Sequence, residues 1–279
     1  MRKYLEEEIC GTEGCVQSFR EALNCRCFIS ETNNGLWMML INDDLISTKI
    51  RRLGVWEPHV TNYLVKNVKH NEVVIELGAN IGYHTVLMAK LVSPLGRVYS
   101  YEVNDEVYDF AKMSLRMNDL SHIVKMKNVG ISDKTGEALL HYTPLNSSVP
   151  TNIGMAHIDF AENGGKGELV KKVKMTSLDE DLPELKNVDW LRMDIEGSEL
   201  PAIHGARRII ESSPNLKIVM EWAPCYLEKF GDLSAFIDLL HNYGFIFYRI
   251  EDDGNLGDEM PKEKLLEADQ VDLVLLRNR

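Results

Sequence analysis

No stretch of this chain approaches the roughly 18 consecutive apolar residues that a membrane-spanning helix requires. Its beginning, MRKYLEEEIC, sets three glutamates where a secretory leader would carry its apolar segment. Both absences predict a soluble, cytoplasmic protein. An excess of positive charge is missing too: 31 Lys and Arg stand against 43 Asp and Glu, for a formal charge of −12. Basic residues cluster only in short runs such as KIRR at 49–52 and KKVK at 171–174. Such a balance disfavours a nucleic-acid backbone as the main partner. Cysteine is sparse: Cys10, Cys15, Cys25 and Cys27 fall near the start, and Cys225 stands alone far downstream. Their spacing matches no paired C-x-x-C zinc pattern, and an odd count fits reduced thiols better than a disulfide framework. Internal repeats and low-complexity blocks are also absent.

What the sequence does contain is a regular alternation. Apolar runs at 73–77, 97–102 and 123–129 read as strands, with apolar-striped helices at 82–92 and 105–117 between them. The pattern resumes with a strand at 188–193, a helix at 199–211, a strand at 216–221, a helix at 233–243 and closing strands at 245–250 and 271–276. This alternation defines an α/β fold with a doubly wound, mostly parallel sheet of seven strands. Only about twenty residues with no clear helix join the last two strands, so the final strand is expected to run antiparallel. Ahead of the alternation, LWMMLI, NDD and LISTKI suggest a hairpin, and Glu57-Pro58 opens a helix. Residues 1–70 are therefore expected to form an N-terminal extension on the substrate side, and residues 71–279 the ligand-binding domain. Within the latter, EALLHYT and ELVKKVKM read as an inserted hairpin. The intervening 144–167, rich in Asn, Ser, Gly and Pro, reads as a lid.

In such sheets ligands bind beyond the carboxyl ends of the strands. The first strand ends in ELGANIG, where Gly78 and Gly82 would let the backbone approach a ligand and Asn80 sits in the bend. A dinucleotide fingerprint needs G-x-G-x-x-G, but the three positions here hold Glu76, Gly78 and Ile81, which argues against a nicotinamide oxidoreductase. Glu76 would repel a pyrophosphate and suits a ligand carrying positive charge, such as S-adenosylmethionine. Glu102, ending the next strand in VYSYEVND, can accept both hydroxyls of an adenosine ribose. Alone, a glutamate after a strand is more often solvated; beside the glycine bend it becomes a donor-binding candidate.

Asp194 and Glu196 stand two apart after the apolar strand WLRM, followed by Gly197 and by Ser198 as a candidate N-cap. The segment DIEGSELPAIHGA, with Asp194, Glu196, Gly197, Glu199, Gly205 and Ala206, resembles the FkbM family of methyltransferases, as does GANIGYHT. The resemblance covers about residues 36–225. It implies a class I methyltransferase (Rossmann-like) fold, S-adenosylmethionine as methyl donor, and an oxygen on a sugar, glycan or natural product as acceptor.

Methyl transfer to a hydroxyl needs alignment and either a base or a metal. Asp194, Glu196 and Glu221, the last from KIVMEWAP, come from strand ends expected to be neighbours. They are candidates for catalysis or for holding a hard cation such as magnesium, with Asp194 and Glu221 as its ligands. His84, in the first turn after the glycine bend, is a second candidate base. The bland readings stand beside these: Asp194 as a turn cap, Glu196 as a bend former, Glu199 as a helix-dipole partner and His84 as a helix-start polar residue. N-methylation of an amine or protein side chain, and a ligand-binding module without catalysis, remain the alternative functions.

Overall fold

The computed structural model describes residues 27–145, 152–159, 164–165 and 167–278. Cys10, Cys15 and Cys25 and part of the expected lid lie outside these residues. The chain opens with β1 (Cys27–Glu31) and β2 (Trp37–Ile41), an antiparallel pair. LISTKI does not pair with β2 as the sequence suggested; it lies in helix α1 (Leu45–Leu53). The reason is local: the Asp44 carboxylate caps the amide of Ser47 at 2.7 Å, Ile46 and Ile50 face the core four residues apart, and Gly54 closes the end with φ +69°. The partner of β2 is instead CFISE, in the region where the sequence offered no motif. Helix α2 (Pro58–Asn67) starts at Pro58, as expected.

The alternation then follows the sequence closely: β3 (Val73–Leu77), α3 (Tyr83–Val92), β4 (Arg97–Tyr101), α4 (Asp105–Met117) and β5 (Val124–Lys127). An insertion carries β6 (Gly130–Ile131), β7 (Gly136–Tyr142), β8 (His157–Asp159) and β9 (Leu169–Thr176), which form a separate four-stranded sheet in the order β6-β9-β7-β8. The expected hairpin is the β7–β9 pair at its centre. The short helix α5 (Leu178–Asp181) leads back to the main sheet through β10 (Trp190–Met193). The helix expected at 199–211 is broken into α6 (Glu199–His204) and α7 (Arg207–Glu211); at the break Gly205 packs so closely that a β-carbon would lie 2.0 Å from the Ser132 carbonyl oxygen. The remainder is β11 (Lys217–Trp222), α8 (Pro224–Leu227), α9 (Leu233–Asn242), β12 (Phe245–Ile250), β13 (Leu256–Glu259), α10 (Lys262–Glu267) and β14 (Val271–Arg277).

The main sheet has the order β13-β12-β14-β11-β10-β3-β4-β5. Seven of these strands are those expected, and β14 runs antiparallel to both β11 and β12. The eighth, β13, is a short edge strand, and with α10 it fills the stretch that showed no element in the sequence. The chain winds outward from β3 to β5, then returns to β10 on the other side of β3. The switch point therefore lies between β3 and β10, which is where a doubly wound sheet opens its ligand crevice.

Alternation along each strand sends side chains into two cores. Val74 and Trp190 join the core shared with β2, α1, α2, α3 and α4. Ile75, Leu77, Leu191 and Met193 join the core under α6, α7 and α9. Buried apolar residues between Leu36 and Val68 are part of the first core and pack on the main sheet directly. Helix α4 also closes the edge of β2: Ser114 Oγ accepts from the Met39 amide at 3.0 Å, and Asn118 both accepts from the Trp37 amide and donates to its carbonyl.

Candidate active site

One cavity of about 790 Å³ lies over the carboxyl ends of β4, β3, β10 and β11. It falls in the roughly 300–1,000 Å³ range of small-molecule sites. The far wall comes from α1, α2 and the ends of β12 and β14; residues 152–158 of the insertion line it from above. Ile153 is anchored there by its amide on Asp44 Oδ1 at 3.3 Å. Gly78, Asn80, His84 and Glu102 all line the cavity, as do Asp194, Glu196 and Glu221.

At the β3–β4 end, the bend is built by backbone that few side chains tolerate: φ is +83° at Gly78, +52° at Asn80 and +86° at Gly82. The carboxylate of Glu102 braces it by accepting from the amides of Asn80 and Asn104, each at 2.7 Å. Burial nevertheless pushes its pKa up to about 7, against those two bonds. Both glycines also pack closely, and of the two Gly78 lines the cavity while Gly82 does not. A β-carbon on Gly82 would lie 2.7 Å from Ala111 of α4, and one on Gly78 would lie 1.9 Å from the carbonyl oxygen of Asp194. Glu76 also differs from its expected place, because strand alternation turns it inward. It is fully buried, accepts from Thr85 and from Ser100 Oγ at 2.8 Å, and faces Arg192 at 3.8 Å, outside the cavity lining.

Arg192 is a site residue that sequence reasoning missed. It is buried in β10, with Nη2 2.9 Å from Asp194 Oδ2 and 3.5 Å from Glu57, and with Nη1 3.8 Å from Glu76. Burial alone would disfavour its charge, but Asp194, Glu57 and Glu76 outweigh that and raise its pKa. An arginine inside the apolar strand WLRM was the available signal. Glu57 was missed as well. Burial first, and then Asp194, pushes its pKa up to about 8, with Arg192 opposing.

Beyond β10 the chain turns sharply, with φ +51° at Glu196 and +100° at Gly197. Asp194 and Glu196 are therefore brought together by this turn and not by extended-strand alternation. With Glu221 they place carboxylate oxygens within 4.8 Å of one another. Burial, followed by Asp194, pushes Glu196 up to about 9 and Glu221 up to about 8; Gln270 opposes the rise by donating to Glu221. Ser198 makes no capping bond, and its buried hydroxyl has no protein partner among the described residues. Glu199 instead braces the turn before the helix, accepting from the Ile195 amide at 3.0 Å.

His84 is buried in the cavity wall, with Nε2 3.4 Å from Thr61 Oγ1 and Nδ1 3.9 Å from Glu57. Burial, then Arg192 and His59, hold its pKa well below the usual imidazole range, so its ring is neutral. His59, also in the cavity lining, has Nε2 2.6 Å from Asp272 Oδ2. That bond raises His59 above its ordinary value against desolvation; Asp252 adds to the rise and Arg249 opposes it.

A doubly wound sheet with an antiparallel final strand, a glycine bend without the dinucleotide triplet and an acid after the second strand defines an S-adenosylmethionine-dependent methyltransferase. The Methyltransferase FkbM domain matches residues 76–247, more than half of the chain, and the protein belongs to that family. A methyltransferase of Sordaria araneosa, sdnD, is 26% identical over 184 residues, covering 58% of this chain and 71% of its own. A protein-L-isoaspartate O-methyltransferase of Ignicoccus hospitalis is 36% identical over 61 residues, only 21% of this chain and 29% of its own length. Among solved structures, the O-methyltransferase TomG of Streptomyces achromogenes is 12% identical with a TM-score of 0.45, covering 80% of both chains. No helix among the described residues is long and apolar enough to cross a membrane.

Proposed function

We propose that this methyltransferase transfers the methyl group of S-adenosylmethionine to a hydroxyl oxygen of a small-molecule or glycan acceptor. The observation that carries the reading is the convergence of Asp194, Glu196 and Glu221 within 4.8 Å at one cavity. A neutral amine is nucleophilic without help, whereas a hydroxyl of high pKa needs a group to take or weaken its proton.

Glu102 is assigned to the ribose, since it braces the bend from inside the cavity with acceptor capacity left over on both oxygens. The bend at Gly78 and Asn80 would hold the rest of the donor, and Glu76 acts beneath it by fixing Arg192 and Thr85. The transfer itself is an in-line displacement at carbon. Oriented reactants therefore contribute most of the acceleration, and the acidic lining suits the binding of a ligand with a sulfonium charge. The acids of the cluster also fit a hard cation in donor type, and the unpartnered Ser198 hydroxyl offers a further oxygen. Asp194, Glu196 and Glu221 would hold magnesium, which when bound supplies polarisation of the acceptor oxygen.

The experiment is a screen of S-adenosylhomocysteine release over matched panels of hydroxyl and amine compounds, repeated in chelator with magnesium added back. Turnover confined to hydroxyl compounds, lost in chelator and restored by the metal, is the expected result. Turnover confined to amines would overturn the O-methyl reading. Full activity in chelator would remove the cation.

A further inference from the structure

Two residues outside the matched domain meet in this cavity. His59 enters one position after Pro58, in the first turn of α2, and Asp272, the second residue of β14, lies directly opposite Glu221 in the β11–β14 register. Their side chains line the cavity and join at 2.6 Å. A carboxylate only accepts, so the bond places a hydrogen on Nε2 and, in the neutral ring, leaves a lone pair on Nδ1. No protein group among the described residues bonds Nδ1. His84, by comparison, is enclosed, with Thr61 and Glu57 beside its two nitrogens; the His59 side chain keeps 30% of its surface open.

We propose that His59 is the general base that takes the acceptor's proton, and that Asp272 is the residue that positions it. The proposal rests on the O-methyltransfer reading and names the group that performs its proton step. The acceptor oxygen forms its new bond to the methyl carbon as the carbon–sulfur bond breaks and its electron pair returns to sulfur. The hydroxyl proton passes to Nδ1 of His59. S-adenosylhomocysteine and the methyl ether leave neutral, and the positive charge of the sulfonium ends on the imidazolium beside Asp272. The Asp194, Glu196 and Glu221 cluster then orients the acceptor without having to accept its proton. The bond also ties α2 to the last strand, so a purely structural role is the competing account.

The test uses the full chain, with the hydroxyl compound that gives the fastest turnover in the screen above. His59→Gln is expected to lower kcat about 100-fold or more, within the usual reach of a general base. Its KM, thermal midpoint and calorimetric affinity for S-adenosylmethionine should stay near those of the native chain. Imidazole added to His59→Ala should restore part of the turnover, and Asp272→Asn should lose less than His59→Gln and gain nothing from imidazole. A His59→Gln kcat within threefold of native would overturn the proposal while leaving O-methylation standing. So would a loss confined to KM, or one that imidazole does not relieve. A native chain that turns over no hydroxyl compound would instead sink the O-methyl reading itself, and the base with it.

Discussion

Arg192 on β10 and Glu76 on β3 are register partners in the parallel pair, and their charges face each other at 3.8 Å inside the protein. Each is the lone charge in an otherwise apolar strand, and each makes the other tolerable there. Because Arg192 also holds Asp194 and Glu57, it is the countercharge for those acids of the cavity. Arg192→Met should lower stability in urea unfolding by roughly 3–5 kcal/mol, the usual cost of stranding buried partners. A loss below about 1 kcal/mol, the worth of an exposed pair, would mean that those acids are not held as described.

Gly78 allows β3 to pass under Asp194. A β-carbon would meet the Asp194 carbonyl oxygen at 1.9 Å, and the backbone at φ +83° penalises any L side chain besides. Gly78→Ala is expected to cost about 3 kcal/mol from strain and overpacking together, and to weaken donor binding by moving the strand end. A native thermal midpoint in this variant would contradict the close packing.

Glu102→Ala removes the proposed ribose acceptor. Donor affinity by calorimetry should fall by roughly 1.5–3 kcal/mol, as for a hydrogen bond to a charged group. The bend also loses its brace on Asn80 and Asn104, so thermal stability should fall in parallel. Unchanged affinity would place the ribose elsewhere.

The buried acids set a pH dependence with an unusual sign. Glu102 and Glu199 are pushed up to about 7, Glu57 and Glu221 to about 8 and Glu196 to about 9, burial being the largest cause for each. The ordinary value is about 4.3. The folded chain thus binds more protons than the unfolded chain between these limits, and stability falls as pH rises through 7–9. Without ligands, the thermal midpoint should be higher near pH 5.5 than near pH 8.5. A flat or rising profile would show that these carboxyls are not raised.

The order of elements was legible because parallel strands buried on both faces, such as VVIEL, read as apolar runs between striped helices. What escaped was set by contacts distant in sequence. LISTKI looks like a strand until Asp44 and Gly54 are counted as its caps, and β13 is too short and polar to register. In the site, the acids at strand ends were visible one by one. Their common countercharge was not, because only pairing β3 with β10 in register brings Arg192 to Glu76. His59 and Asp272 lie 213 positions apart and carry no local pattern at all.

The most direct measurement follows the methyl group itself. The chain is incubated with S-adenosylmethionine carrying an isotope-labelled methyl and with mixed hydroxyl and amine acceptors, and the labelled product is resolved by NMR. The account predicts label on oxygen, as a methyl ether, released together with S-adenosylhomocysteine. Label found only on nitrogen would contradict it.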